Sequence, residues 1–156
     1  MKKCQQWELY DAERDVPHGK WFASTDEAEA WISEIRETLW FRDNFPTVQR
    51  FELHPRSVND GSVGTFIPLD GVVLAEMASE HLNNLIICHE VSHGLAAARY
   101  QSRSHDPWFA RIYLELVWHM LGTETYEALR ASFDQHGIDH DPGPESTHAM
   151  RKAIIL

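Results

Sequence analysis

Residues 85–94, with the sequence LIICHEVSHG, lie inside an extended helical pattern and decide the fold of this chain. The pattern predicts one helix from about Ala78 to Tyr100. The apolar run Leu85–Cys88 makes one side of this helix suitable for burial. We therefore expect His89 and His93 to lie at the edge of a core.

The spacing of the two histidines matches the pattern HExxH. Because residues four apart lie on one face of a helix, His89 and His93 can bind one metal ion. Neutral imidazole suits Zn²⁺, and a catalytic zinc site has three protein ligands and a water. Glu90 can accept a proton from the zinc-bound water as it attacks a carbonyl group, and is predicted to be the catalytic general base. The alternative is a histidine pair without a metal, with Glu90 in a surface ion pair.

A third ligand is needed for such a site, and three downstream residues are candidates. His105 follows a polar break and precedes the helix that Pro107 would begin, so the chain can reverse there and return the imidazole to the first helix. Glu115, in the middle of that next helix, is the alternative ligand. We favour His105, and we expect His119 to be a helical partner of Glu115 or a core histidine.

The motif residues resemble those of a known group of enzymes. HExxH followed by His105, and by Phe109 four positions later, resembles the HExxH…HGxxF pattern of SprT-like zinc metallopeptidases, with Asp106 where glycine is common. The stretch from Tyr10 to Arg130 is similar to metallohydrolases found in actinobacteria and their phages. The resemblance implies a minimal zincin: a small, mostly antiparallel sheet, a zinc-binding helix and following helices. It implies a zinc site with Glu90 as base and with His89, His93 and His105 as ligands.

The other segments predict an α+β fold. Trp7–Glu13 alternates around Leu9 and indicates a short strand. A capping box at Ser24 and Glu27 predicts a helix over residues 25–40. Val48–Leu53 and Ser62–Pro68 are predicted to pair as a hairpin around an Asn-Asp-Gly turn, and a third strand is expected over residues 72–74.

After the histidine helix, two more helices are predicted. The first begins at Pro107 and ends at Gly122, and the second runs from Thr123 to Gly137. Residues 138–156 are expected to form an irregular tail after a single domain over residues 1–137. The strand at residues 72–74 is either a core strand or an edge strand to which a peptide could add. Tyr100 is either a packing residue or a phenol that donates to an oxyanion.

Composition restricts the classes of protein that this chain can belong to. It has 156 residues, of which 43% are hydrophobic, which is typical of a globular domain. Its net charge of −10 argues against nucleic acid as a partner. Cys4 and Cys88 form no spaced framework, and neither a signal peptide nor an apolar run long enough for a membrane is visible, so a cytoplasmic location is expected.

The sequence as a whole predicts a zinc-dependent hydrolase, with a peptide bond as the expected target and a peptide or protein as the substrate. Hydrolysis of an amide in a small molecule would use the same site. The alternative from another class is a non-catalytic, zinc-stabilised binding module, which would close its metal site with a fourth protein ligand. Nothing in the sequence predicts an oligomeric state.

Overall fold

A computed structural model describes residues 4–143 and shows an α+β fold, as predicted. Its strands are β1 (Arg50–Arg56), β2 (Val63–Ile67) and β3 (Val72–Ala78). Its helices are α1 (Gln6–Arg14), α2 (Thr25–Ser33), α3 (Leu39–Asn44), α4 (Asn84–Tyr100), α5 (Pro107–Leu121) and α6 (Thr123–Gln135). Within the described range, no helix is long and apolar enough to cross a membrane.

The sheet is mixed and has β3 at its centre. β3 pairs with β1 in parallel, from Arg50 opposite Val72 to Arg56 opposite Ala78, and with β2 in the antiparallel sense. The predicted hairpin between the first two strands is therefore wrong, because both pair with β3 instead. The Asn-Asp-Gly segment belongs to a short 3-10 turn over Val58–Asp60 and to the loop that leads into β2. Five of the seven residues of β3 are buried, which suits a central strand.

The segment Trp7–Glu13, predicted as a strand, is helical and forms most of α1. Its buried residues Leu9, Ala12 and Glu13 recur at three and four positions, which is the helical period. The helix packs against α6, where the Ser132 hydroxyl donates to the carbonyl oxygen of Ala12 at 2.8 Å. The alternation around Leu9 is too short to distinguish the two-residue period of a strand from the period of a helix.

The helix predicted over residues 25–40 is divided. α2 passes into a 3-10 turn at Glu34–Glu37, and Thr38 then adopts an extended conformation and caps α3, with its Oγ1 accepting from the Phe41 N–H at 3.1 Å. The histidine helix also starts later than predicted. Asn83 caps α4 by accepting from the Ile86 N–H at 3.0 Å, because the chain up to Ala78 belongs to β3.

Two glycines bring α4 into backbone contact with the sheet. A Cβ on Gly64 of β2 would lie 1.8 Å from the carbonyl oxygen of Glu90. A Cβ on Gly94 of α4 would lie 2.7 Å from the carbonyl oxygen of Thr65 in β2. Only glycine fits at either contact. The turn of helix that carries Glu90 is therefore held directly on β2.

The C-terminal half follows its prediction closely. α5 begins at Pro107 and is capped by Asp106, whose Oδ1 accepts from the Phe109 N–H at 3.0 Å. α6 ends before Gly137, whose φ of 69° suits glycine. Residues 138–143 have no regular secondary structure, and the rest of the predicted tail lies outside the described residues.

Candidate metal centre

Three histidine side chains meet between α4 and α5. His89 and His93 lie one turn apart on α4, and His105 lies in the loop before α5. Nε2 of His105 is 3.1 Å from Nε2 of His89 and 3.1 Å from Nε2 of His93. Two nitrogens that each lie about 2.0–2.1 Å from one tetrahedral zinc ion are roughly 3.3–3.4 Å apart. The cluster therefore has the donor type and the spacing to hold a metal ion.

Local structure brings His105 back to α4. The helix ends at Gln101, which has a left-handed φ of 56°, and its N–H donates to the carbonyl oxygen of Ala97 at 3.0 Å. The N–H of Gln5 donates to the carbonyl oxygen of His105 at 3.0 Å and so ties the loop to the start of the chain. Phe109, one turn into α5, stacks on the His93 ring at 4.2 Å. His105 is thus fixed from its backbone and from the helix that follows.

The carboxylate of Glu13 orients the first histidine. Glu13 is buried, and its Oε2 lies 2.8 Å from Nδ1 of His89. The Tyr113 hydroxyl donates to the same oxygen at 2.7 Å. When Nδ1 donates to a carboxylate, Nε2 of the neutral ring has a free lone pair, as a metal ligand requires.

Burial and mutual repulsion keep two of the imidazoles neutral. Burial, followed by the neighbouring imidazoles of His89 and His105, lowers the pKa of His93 to about 2. Burial and the charge of His89 lower the pKa of His105 to about 4, against a smaller opposite effect of Glu13. Both residues are therefore deprotonated at neutral pH and have a lone pair to offer a metal ion.

The pKa of His89 moves in the opposite direction. Burial acts to lower it, but the charges of Glu13 and Glu90 and the hydrogen bond to Glu13 together raise it above its ordinary value. In the metal-free protein, His89 therefore holds a proton more firmly than a free histidine does.

Glu90 lies beside the cluster and is not part of it. Its side chain is buried, and Oε1 is 3.9 Å from Nε2 of His89. Burial is the largest cause that raises its pKa to about 7; the nearby Glu13 raises it further, and the charges of His89 and Arg56 oppose this. The carboxyl group can therefore both accept and release a proton near neutral pH.

A cleft of about 550 Å³ opens beside His89 and Glu90. Tyr10 and Arg14 of α1 line one side of it, and its other side includes Ser62 and His81, which flank the β2–β3 hairpin. Tyr10 covers the three-histidine cluster, with its ring 5.8 Å from that of His89 and 5.5 Å from that of His105. Tyr10 thus covers one side of the cluster, and His89 is the member of the cluster that lines the cleft.

Other predicted candidates lie elsewhere. The structure brings His105, and not Glu115, to the histidine pair; Glu115 instead accepts from Nε1 of Trp40 at 3.2 Å. His119 stacks on Trp40 at 4.7 Å, and Tyr100 stacks on Trp108 at 4.2 Å. Because β3 is the central strand, residues 72–74 cannot receive an added peptide strand.

Comparison with protein families, curated proteins and solved structures finds no match to this chain. The site is therefore interpreted from its own residues. Sequence reasoning missed Glu13, Tyr10 and Tyr113, which surround His89. Glu13 is an acidic residue on the buried face of α1, which marks it as a candidate for a functional contact. That face can be recognised only when the segment is assigned to a helix.

Proposed function

We propose that this chain is a zinc-dependent hydrolase that cleaves a peptide bond, with His89, His93 and His105 as ligands and Glu90 as general base. The observation that carries the proposal is a buried carboxylate beside a three-histidine cluster that borders a cleft. Among residues 4–143, no other His, Cys, Asp or Glu joins the cluster. Three protein ligands are typical of catalytic zinc, whereas structural zinc sites have four.

The histidines, Glu90 and Glu13 have different roles in the proposed hydrolysis. His89, His93 and His105 would hold the zinc ion, which when bound would supply a Lewis acid for the carbonyl group and would lower the pKa of a water molecule to about 7. Glu90 accepts a proton from the attacking water and returns it to the leaving nitrogen. Glu90 can make both transfers because its carboxyl group lies beside the cluster, with Oε1 3.9 Å from Nε2 of His89. Glu13 keeps His89 in the ligating orientation throughout.

A peptide is proposed as the substrate because of the cleft as well as the site. The cleft combines an apolar surface at Ile86 with polar groups from Ser62, His81 and Arg14. Such a surface can receive a main chain with carbonyl groups and an apolar side chain. Support for a peptide over another amide also comes from the resemblance of the motif to metallopeptidases.

The test compares the native protein with Glu90→Gln, each loaded with zinc, against a library of quenched fluorescent peptides. We expect hydrolysis by the native protein, loss of at least about 100-fold in Glu90→Gln, and equal zinc content in both. Glu115→Gln is the matched control, because Glu115 lies on α5 outside the cluster and should leave the rate unchanged. Zinc binding without hydrolysis of any peptide or amide would instead favour a zinc-stabilised binding module.

A further inference from the structure

A second histidine of the cleft, His81, is held in one orientation by a serine. Ser62 immediately precedes β2, and its Oγ accepts from the N–H of Ala78 at 2.9 Å. The same Oγ lies 2.8 Å from Nδ1 of His81. Ser62 thereby links the end of β3 to the short 3-10 turn Ser79–His81 that follows it.

This arrangement favours the tautomer of His81 that carries its proton on Nε2. A serine hydroxyl has one proton to donate and two lone pairs. One lone pair of Ser62 is used by Ala78, and in the described part of the chain the acceptor within reach of its proton is Nδ1 of His81. With Nδ1 as acceptor, the neutral ring has its proton on Nε2. The described residues offer no acceptor to that N–H.

The backbone around His81 is fixed. Its carbonyl oxygen accepts from the N–H of Asn83 at 2.8 Å, and the carbonyl oxygen of Leu82 accepts from the N–H of Phe22 at 2.8 Å. Trp21 and Asn83 also form an isolated β-bridge. A donor held on both sides by such contacts is already organised before a ligand arrives.

We propose that His81 binds the substrate by donating its Nε2–H to a main-chain carbonyl oxygen outside the bond that is cleaved. The proposal rests on the proposed function, because His81, His89 and Glu90 line one cleft. A ligand carbonyl would supply the acceptor that the described residues do not. Ser62 acts through His81 as a positioning residue.

The test uses two hydroxamates whose metal-binding group is the same. Acetohydroxamate has no peptide carbonyl, whereas N-acetyl-leucine hydroxamate carries one that would extend into the cleft. Calorimetric titration of the zinc-loaded protein measures both affinities in the native chain, His81→Phe, His81→Gln and His54→Phe. His54 is the control, because it is exposed on β1 and hydrogen-bonds to Glu52.

We expect His81→Phe to weaken N-acetyl-leucine hydroxamate about tenfold, the usual value of one hydrogen bond, and to leave acetohydroxamate unchanged. His81→Gln keeps an N–H donor and should recover most of the affinity, and His54→Phe should change neither probe. The side-chain ¹⁵N spectrum of the native protein should show the proton of His81 on Nε2.

Two results would overturn the role of His81. One is equal affinity of native protein and His81→Phe for N-acetyl-leucine hydroxamate at equal zinc content, and the other is a proton on Nδ1. A native protein that takes up no zinc would instead contradict the proposed function itself. Acetohydroxamate separates the two failures, because it reports the metal site without the contact to His81.

Discussion

Helix α4 supplies two histidines of the cluster, and helix α1 supplies a carboxylate that contacts one of them. α4 carries two of its residues at a spacing that any helix would bring together. α1 carries Glu13, which is 76 positions from its partner His89 and meets it only in the folded chain. The pairing of His89 and His93 can therefore be predicted from the local sequence, whereas the contact that orients His89 depends on tertiary structure.

The largest expected effect comes from the ligand that connects α4 to α5. His105→Ala removes one of three imidazoles, and we expect zinc affinity to fall by more than about 100-fold, beyond the range for residues that only orient a ligand. Competition with a chromophoric chelator measures the change. Glu115→Ala is the control, because Glu115 is the alternative third ligand and lies on α5. A large loss in that variant, with little in His105→Ala, would reverse the assignment.

Glu13→Gln tests the contribution of α1. The variant keeps the size of the side chain but removes the charge that accepts from Nδ1 of His89 and from Tyr113. We expect zinc affinity to fall by about 10- to 100-fold, as for other carboxylates that orient a histidine ligand. The same chelator competition applies. If folded Glu13→Gln binds zinc as tightly as the native protein, α1 covers the cluster without orienting His89.

The pH dependence of zinc binding sharpens the same comparison. His89 must lose its proton before it can bind zinc, and its pKa is raised above the ordinary value. Apparent affinity should therefore rise by up to about tenfold per pH unit below that pKa and level off above it. His93 and His105, with pKa values of about 2 and 4, add no step near neutral pH. Glu13→Gln should move the levelling point to lower pH, and titrations at several pH values would show whether it does.

The smallest expected effect concerns the loop between α4 and α5. Asp106→Ala removes the cap of α5 beside His105, and such changes cost about 1 kcal/mol. We expect a lower unfolding free energy by denaturant titration and a modest loss of zinc affinity. Asp106→Asn, which can still accept from the Phe109 N–H, is the matched control. Equal losses in both variants would mean that the charge, and not the cap, is what matters.

Local signals explain which parts of the fold were predictable from the sequence. Pro107 and the cap before it define the start of α5, and the spacing of His89 and His93 places both histidines on one face of α4. The choice of His105 over Glu115 depended on a chain reversal, which the polar break after Tyr100 indicated correctly.

The parts that were not predictable depend on distant partners. The order of the strands follows from the central position of β3, which no turn sequence reveals. The sequence of α1 predicts a strand because a nine-residue helix with few apolar residues has a weak periodic signal. The contacts of Glu13 and His81 could not be predicted for the same reason, since each is made with a neighbour from another element.

X-ray absorption of the zinc-loaded protein, together with elemental analysis, is the decisive measurement for the proposed zinc site. We expect about one zinc ion per chain, bound by three imidazole nitrogens and one light oxygen ligand, with the imidazole signal reduced in His105→Ala. A protein that binds no zinc, or a zinc ion closed by four protein ligands, would contradict an open catalytic site at His89, His93 and His105.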